Sequence, residues 1–308
     1  MPTVADHAPA TPHLATLSGD ALLARIDTVI ERARRSAALT IIETEQTTLR
    51  DDGIDFLVRW VSTLAQKQAV RHLSTLGRNP AFNPFLPPEP ALTVGRAGPR
   101  HLCVLNKFPV LHRHLLVVTE TFEEQTAALN AGDFEALAPF VHLLGGLGFY
   151  NGGAEAGASQ RHKHLQCVPA SPQSDNLKRL TCTLVGADCQ AGRPCTHASL
   201  PFRHAFVRLD HAASTARSPA ETAFSAFRRA CAEVGIDPDA DPMPPYNMLL
   251  TRDWLMVVPR SREDFEGMSV NALGFAASLF VRDRAQIERL QAVGPLAVLR
   301  GVAYPRIG

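Results

Sequence analysis

Two segments of the chain constrain the fold most, because each contains two short apolar runs separated by a polar turn. They read LCVLNKFPVLHRHLLVVTE at 102–120 and YNMLLTRDWLMVVPRS at 246–261, and each precedes helical sequence. Short apolar runs bounded by turn residues are typical of buried strands. Strands joined by so short a connection pair in the antiparallel direction. We therefore predict an α+β fold in which helices cover an antiparallel sheet.

The similarity between these two segments has two explanations. The chain could consist of two related halves, in which one copy carries the chemistry and the other mostly binds and packs. Short apolar strand pairs also recur by chance, so the pattern alone does not establish a duplication. Both explanations stay open on the sequence.

Local patterns predict the elements around these segments. The amphipathic sequence after Ser18 predicts a helix with Ser18 as its N-cap, and Asp52-Gly53 predicts a hairpin turn. Five prolines at 79–92 exclude regular structure there. Further elements are predicted as a strand at 202–209 and helices at about 133–149, 218–234, 270–282 and 283–293.

The same patterns predict the domain organisation. Residues 1–15 show no apolar period and are expected to form a flexible N-terminal tail. Residues 16–308 are expected to form one domain. Its catalytic motif is placed at about 101–170 and its second-half region at about 200–295.

Charge and composition exclude several classes of function. The chain has 31 Lys and Arg against 30 Asp and Glu, which gives no overall field to attract nucleic acid or an anionic membrane. Its apolar stretches fall short of the roughly 20 residues that span a bilayer. The N-terminus does not resemble a secretory signal, so we expect a cytoplasmic protein whose six cysteines are reduced.

Cysteine and histidine, both zinc ligands, cluster at 182–197. The spacing of Cys182, Cys189, Cys195 and His197 does not match the usual zinc ligand pairs, in which cysteines lie two to four residues apart. We therefore expect ordinary reduced cysteines and no structural zinc or other dedicated metal site.

The sequence HKHLQ at 162–166 is the strongest candidate for chemistry. On a β-strand, residues two apart share a face, so His162, His164 and Gln166 would line one side. A neutral imidazole is a good nucleophile near neutral pH, and two imidazoles with a carboxamide suit attack on an activated phosphorus. A structural role or half of a metal site would also fit the spacing, so the pattern alone leaves these alternatives open.

The turn GGAEAGASQ at 152–160 directly precedes these histidines. Glycine lets the backbone bend and approach a ligand closely, so main-chain N–H groups and the Ser159 hydroxyl could contact phosphate oxygens. Lys107, Arg161 and Lys163 are nearby candidates for neutralising phosphate charge. The second His-x-His sequence, HRH at 112–114, lacks such a turn and is predicted to be solvated.

Several separated blocks strongly resemble the ATP adenylyltransferase family, also called diadenosine tetraphosphate phosphorylases, in the histidine triad (HIT) superfamily. The blocks are NPFLPPEP at 83–90, LCVLNKFPV at 102–110, HLLVVTETFEEQTAAL at 114–129, FYNGGAEAGASQRHKHLQ at 149–166, YNMLLTRDWLMVVPRS at 246–261 and VNALGFAASLFV at 270–281. Transferase branches of the superfamily carry glutamine at the third motif position, as Gln166 is here. The resemblance implies a HIT-like fold and a nucleotidyltransferase.

The resemblance also implies roles for individual residues. His164 would attack an α-phosphorus and hold a covalent adenylyl group, Gln166 would bind phosphoryl oxygens, and His162 would orient the site. The family positions that bind substrate fall on Lys67, Asn106, Lys107, Asn151, Gly157, Ala158, Ser159, Gln160, Asn271, Ala272, Leu273, Ser278 and Arg282. Family members carry methionine and lysine where Ser278 and Arg282 stand.

The function implied is reversible phosphorolysis of diadenosine 5',5'''-tetraphosphate, with phosphate, to ATP and ADP. The expected partners are these adenine nucleotides and phosphate, and Mg²⁺ would accompany the polyphosphate rather than occupy a protein cage. A carboxamide cannot transfer a proton at ordinary pH, so Gln166 is expected to favour transfer over hydrolysis. The alternatives are a hexose-1-phosphate uridylyltransferase-like enzyme and a non-catalytic sensor of dinucleotide polyphosphates.

Overall fold

The strands of both hairpin segments lie in one antiparallel sheet. The computed structural model describes residues 12–61, 83–171, 189–209 and 217–306. In chain order its strands are β1 (Thr44–Asp51), β2 (Ile54–Val61), β3 (Thr93–Arg96), β4 (His101–Leu105), β5 (Leu115–Thr119), β6 (Leu147–Gly152), β7 (His164–Val168), β8 (Pro194–Cys195), β9 (Ala205–Arg208), β10 (Tyr246–Leu250), β11 (Trp254–Pro259), β12 (Asp264–Phe265), β13 (Met268–Ser269) and β14 (Ser278–Val281). Within these ranges nine strands form the main sheet in the order β3-β4-β5-β7-β6-β10-β11-β9-β8.

Helices and a smaller sheet cover the two faces of the main sheet. The helices are α1 (Gly19–Arg35), α2 (Ala131–Leu144), α3 (Pro219–Glu233), α4 (Arg284–Val293) and α5 (Pro295–Val302). One core joins α1, α2 and α3 to the first face through residues such as Ile26, Phe134, Phe227 and Leu165. The other core joins β2, β14 and α5 to the second face through residues such as Phe56, Leu279, Leu299 and Phe149. The predicted α+β class with an antiparallel sheet and covering helices is confirmed.

The strand order shows that the chain contains two halves of the same topology. β4, β5, α2, β6 and β7 follow one another in sequence, and their strands are ordered 4-5-7-6 in the sheet. β8, β9, α3, β10 and β11 repeat this arrangement with the order 8-9-11-10. The halves meet where β6 pairs with β10, with Asn151 opposite Asn247. The hairpin β10–β11 therefore corresponds to β6–β7, and not to β4–β5 as the sequence similarity indicated.

Local signals account for the helices that were predicted correctly. The Ser18 side chain accepts a hydrogen bond from the N–H of Ala21 at 3.4 Å and caps α1. Ser218 and Glu221 form a reciprocal capping box at the start of α3. The hairpin at Asp52-Gly53 is also confirmed, because β1 and β2 pair across it.

Two predicted helices and part of the predicted tail differ in the structure. α2 ends at Leu144 instead of about 149, because Gly145 adopts a left-handed φ of 64° and the chain turns into β6. Of the predicted helix 270–282, only 272–276 is helical, as a short 3-10 helix. Residues 278–281 form β14, which pairs in parallel with β2, a distant contact that local periodicity does not record. Leu14, placed in the tail, is buried.

The cysteine prediction was wrong for one pair. Cys189 and Cys195 form a disulfide, which also removes both as thiolate ligands for zinc. Cys103, Cys167 and Cys231 are free and buried. Cys182, which belonged to the same candidate cluster, lies outside the described residues.

A buried ion network anchors the residue between the two motif histidines. Lys163 is buried, and its Nζ lies 2.9 Å from an Asp133 carboxylate oxygen on α2 and 3.2 Å from a Glu123 oxygen. It also donates a hydrogen bond to the Ala128 carbonyl at 2.8 Å. Asp133 contacts His101 Nε2 at 2.9 Å. Burial opposes ionisation of Asp133, but His101 and Lys163 together lower the pKa of its carboxyl below the ordinary value.

We predict that Lys163→Met lowers the free energy of unfolding by about 3–5 kcal/mol, because it leaves a buried carboxylate without its cation. Urea unfolding followed by circular dichroism measures the change. Arg100→Met is the matched control, since Arg100 pairs with Glu123 from the exposed side of the same network. The control should cost less than about 1 kcal/mol. Equal losses in both variants would contradict a buried, desolvated network.

Within the described ranges, no helix combines the length and apolar character needed to cross a bilayer.

Candidate active site

The side chains of β7 alternate between the two faces of the sheet, and this alternation positions the candidate residues. Leu165 and Cys167 point to the core under the helices, whereas Val168 joins the core on the other face. His164 and Gln166 lie in register with Val118 and Leu116 of the neighbouring strand β5. The shared face predicted for His162, His164 and Gln166 is therefore confirmed for His164 and Gln166. His162 precedes the first residue of β7, and the Phe85 ring contacts both histidines. The side chain of Lys163 lies on the opposite face, against Asp133. Lys163 is thus a structural cation, and the prediction that it neutralises phosphate was wrong.

His164 is held in the tautomer that makes Nε2 a nucleophile. Its Nδ1 lies 2.8 Å from the main-chain carbonyl oxygen of His162. Since a carbonyl oxygen only accepts hydrogen bonds, Nδ1 must carry the proton, which leaves a lone pair on Nε2. Within the described part of the chain, Nε2 makes no hydrogen bond that would occupy this lone pair. Burial lowers the pKa of His164 to about 4, so the ring is neutral at pH 7.

His162 is fixed at both ring nitrogens. Its Nε2 lies 2.9 Å from the carbonyl oxygen of Thr119 and 2.8 Å from the Thr119 hydroxyl, so Nε2 donates. Its Nδ1 lies 3.0 Å from the amide nitrogen of Asn83, whose oxygen accepts the N–H of Phe85. With both nitrogens occupied, His162 serves to orient its neighbour through its own carbonyl group.

Gln166 is oriented by a histidine that sequence reasoning had dismissed. His114 is only 6% exposed, and its Nε2 lies 2.8 Å from the Gln166 side-chain oxygen. Its Nδ1 lies 3.1 Å from the amide nitrogen of Asn106, whose oxygen accepts the N–H of Phe108. The amide nitrogen of Gln166 is thereby left to donate to a ligand. Burial lowers the pKa of His114 to about 4, so it too is neutral.

The prediction of a solvated turn at 112–114 was therefore wrong for His114 and correct for the exposed His112. His114, Leu116 and Val118 alternate along β5, which places His114 on the face of Gln166. This alternation was the signal that could have identified His114. Asn106, predicted to bind substrate, also contributes by fixing His114.

The glycine turn at 152–160 lies against Asn271, one of the predicted substrate-binding residues near the end of the chain. Gly157 has a φ of 86°, and a Cβ there would lie 2.8 Å from the Cβ of Asn271. The Asn151 side-chain oxygen accepts the N–H of Ala272 and an amide N–H of Asn247, both at 2.9 Å. The structure thus joins the predicted positions Asn151, Gly157, Asn271 and Ala272.

Asn247 and Arg260 support this junction and were missed on the sequence. Asn247 also donates to the Ala156 carbonyl at 2.9 Å, and Arg260 donates to the Asn247 side-chain oxygen at 2.6 Å. Both residues are buried, and burial lowers the pKa of Arg260 to about 10. They lie on β10 and just after β11. Both fall inside the block 246–261 that carries the resemblance, but the sequence assigned neither of them a role.

Three predicted binding residues have other partners in the structure, and a fourth lies outside the described residues. Lys107 is partly exposed and pairs with Glu89 at 2.8 Å. The buried Ser278 hydroxyl accepts a hydrogen bond from Arg59 at 2.6 Å. Arg282 is exposed and donates to the Gly267 carbonyl at 3.1 Å. Lys67 lies outside the described residues.

Two family models together match most of the chain. A family model described as the Ap4A phosphorylase N-terminal domain matches residues 12–182, and one described as the ATP adenylyltransferase C-terminal domain matches residues 198–305. The chain is 26% identical over 285 residues to diadenosine 5',5'''-P1,P4-tetraphosphate phosphorylase 2 of Saccharomyces cerevisiae. The match covers 84% of this chain and 86% of the yeast protein.

Two solved yeast structures share the fold. The crystal structure of yeast Ap4A phosphorylase Apa2 matches with a TM-score of 0.76 at 23% identity, covering 93% of this chain and 98% of that one. Apa2 in complex with AMP matches with a TM-score of 0.73 at 25% identity, covering 97% and 99%.

The hydrogen bonds of the site predict the tautomers of three histidines. Nitrogen-15 NMR of the side chains should show His164 protonated at Nδ1, and His162 and His114 protonated at Nε2. His164 and His114 should stay neutral from pH 8 down to about pH 5, since burial holds both pKa values near 4. A His164 that is protonated at Nε2, or charged at pH 6, would rule it out as the candidate nucleophile.

Proposed function

Because the chain belongs to the Ap4A phosphorylase family, also called ATP adenylyltransferases, we propose that it catalyses the phosphorolysis of diadenosine tetraphosphate. The reaction uses inorganic phosphate and yields ATP and ADP, and it is reversible. The observation that carries the proposal is the neutral His164 with its unoccupied Nε2, placed beside an oriented Gln166. A cytoplasmic location stays a prediction.

In the first step, the Nε2 lone pair of His164 attacks the α-phosphorus of one adenosine. The bond between this phosphorus and the bridging oxygen breaks, and ATP leaves with the electron pair of that bond. The adenylyl group is now bonded to Nε2, and the ring is positively charged. The hydrogen bond from Nδ1 to the His162 carbonyl strengthens with that charge and so stabilises the intermediate.

In the second step, an oxygen of inorganic phosphate attacks the same phosphorus. The bond from phosphorus to Nε2 breaks, ADP forms, and His164 returns to its neutral state. One phosphoanhydride bond breaks and one forms over the whole cycle, so no other energy source is required. The covalent intermediate divides one difficult displacement into two easier ones.

The surroundings of His164 suit a nucleotide. The amide nitrogen of Gln166 can donate to phosphoryl oxygens, because its oxygen is occupied by His114. A small cluster of buried apolar side chains lies beside the histidines and consists of Phe85, Val104, Leu116 and Val118. The Phe85 ring lies 5.5 Å from the His164 ring.

We also propose that Mg²⁺ enters with the polyphosphate, whose charge it would partly neutralise. Among the described residues, no group of three or more His, Cys, Asp and Glu side chains is arranged to hold a metal ion. Phosphate oxygens would therefore supply most of its ligands, as is usual for Mg²⁺. Activity measured against Mg²⁺ concentration, with and without chelator, tests this requirement.

The proposed activity predicts formation of ATP and ADP when purified protein is mixed with diadenosine tetraphosphate and phosphate. His164→Ala should reduce the rate by about 10³-fold or more, because it removes the nucleophile. Intact-protein mass after a quench that avoids acid should show an adenylyl adduct in the wild type and none in His164→Ala. His112→Ala, an exposed histidine in the same sequence pattern as His114, is the control and should keep full activity.

The alternatives give different results in the same assay. Turnover of a uridine diphosphate sugar with a hexose phosphate, without turnover of the adenine dinucleotide, would favour a uridylyltransferase-like enzyme. Tight binding of the dinucleotide with neither products nor adduct would identify a sensor.

Gln166→His is predicted to raise the ratio of AMP to ADP several-fold in the presence of phosphate. A third imidazole could transfer a proton and assist attack by water on the adenylyl group, which the carboxamide cannot do. Chromatography of the nucleotide products measures the ratio. An unchanged ratio at reduced total activity would show that Gln166 only binds phosphoryl oxygens and does not select the acceptor.

A further inference from the structure

The pairing between β6 and β7 stops just before the nucleophile. Phe149 and Gln166 form the last described pair of this ladder. Continued by two residues in the same register, the ladder would place Asn151 opposite His164. Both residues belong to the proposed site, and the edge of His164 that faces β6 would then bond to Asn151.

The side chain of Gln125 occupies this place in the ladder. Its oxygen accepts the main-chain N–H of His164 at 2.9 Å. Its nitrogen donates to the main-chain carbonyl of Asn151 at 2.8 Å and to that of His164 at 3.2 Å. One carboxamide thus replaces the direct hydrogen bond that the two strands would have made.

Gln125 is itself firmly held. It is only 2% exposed, and its main-chain N–H donates to the Arg161 carbonyl at 2.6 Å. Its main-chain carbonyl accepts the Tyr150 hydroxyl at 2.5 Å. A buried glutamine with its backbone fixed on both sides loses little further freedom when its amide bridges two strands.

The inserted amide has a geometric consequence. A carboxamide has the same donor and acceptor as a peptide group, so it can join two strands that lie farther apart than a direct ladder allows. The strands can separate beyond Phe149 while the main-chain N–H and carbonyl of His164 and the carbonyl of Asn151 keep hydrogen-bond partners. Each such group left unsatisfied would cost about 1–3 kcal/mol. On its other side, His164 stays paired with Val118 of β5.

We propose that Gln125 is a positioning residue that sets the location of the His164 ring relative to Asn151, and through it the rate of the first chemical step. Its side chain bonds to the main chain of His164 and not to the imidazole ring. This inference rests on the proposed adenylyl transfer to His164. The Asn151 side chain keeps its bonds to Asn247 and Ala272 without Gln125, so substrate binding should change much less than chemistry.

The test is the rate of adduct formation at saturating diadenosine tetraphosphate, measured in a single turnover by intact-protein mass. Gln125→Met keeps the length of the side chain and removes all three hydrogen bonds. The rate should fall about 10²-fold, as expected for a misplaced reacting group, while KM changes by less than about threefold. Gln125→Asn keeps the amide but is too short to span both strands. Being the milder change, it serves if Gln125→Met does not fold, and we expect its rate to fall about tenfold.

Thr251→Val is the matched control for loss of stability alone. The buried Thr251 hydroxyl accepts the main-chain N–H groups of Asp253 and Trp254, in the hairpin that corresponds to β6–β7 but carries no histidine. It should lower the melting temperature and leave the single-turnover rate unchanged. Circular dichroism at the assay temperature confirms that each variant is folded.

The outcomes separate this inference from the function on which it rests. If the wild type forms no adduct and no ADP, the proposed function fails. If the wild type forms the adduct and either folded Gln125 variant does so at the full rate, Gln125 only fills space and the inference is overturned. A rise in KM with an unchanged saturated rate would also overturn it.

Discussion

The hydrogen bond from His164 Nδ1 to the His162 carbonyl is the interaction on which the active strand depends. It fixes the tautomer, exposes the Nε2 lone pair and offers a partner for the charge that would develop on the ring. The bond joins a side chain to the backbone two residues earlier, so it is only as rigid as that stretch of strand. Much of the surrounding structure serves to hold those three residues still.

Three sets of contacts achieve this from different directions. β5 pairs with β7 on one side, and the Gln125 amide bonds to His164 on the other. Lys163, which lies between the two histidines, anchors this stretch to α2 through Asp133. The ion network lies on the face opposite the chemistry, where the strand's alternation puts Lys163. A buried cation can therefore lie between two neutral histidines in sequence without occupying the site.

The second half has the same topology but a different purpose. Its strand β11 corresponds to β7 and has the sequence WLMVVP, which contains no nucleophile. The face of β11 that carries Trp254, Met256 and Val258 is covered by the core that includes α5 and the 3-10 helix at 272–276. Asn247 and Arg260 reach across to Asn151 and Ala156 and fix the junction between the halves. The duplication thus provides one strand that carries the candidate histidine and one supporting strand in a continuous sheet.

Sequence patterns predicted the local features well, because period-two alternation, capping residues and turn glycines act over a few residues. They placed α1, the β1–β2 hairpin, α3 and the shared face of His164 and Gln166. They failed where a residue's role is set by a distant partner. The strand β14 forms on β2, His114 is buried against Gln166, and Cys189 finds Cys195. The family resemblance identified which positions to compare but not how they contact one another.

The sequence by itself determined the candidate residues His164 and Gln166 and the face they share, since side chains two apart point the same way along any extended strand. Only the tertiary structure decided the protonation of His164, the orientation of Gln166 and the depth at which both lie. These properties depend on hydrogen-bond partners and burial, supplied by His114, Gln125 and Asn83 from other parts of the chain. These partners are separated from the motif by tens of residues. Local alternation can assign His114 to a face of its own strand, but it does not specify which residue His114 contacts.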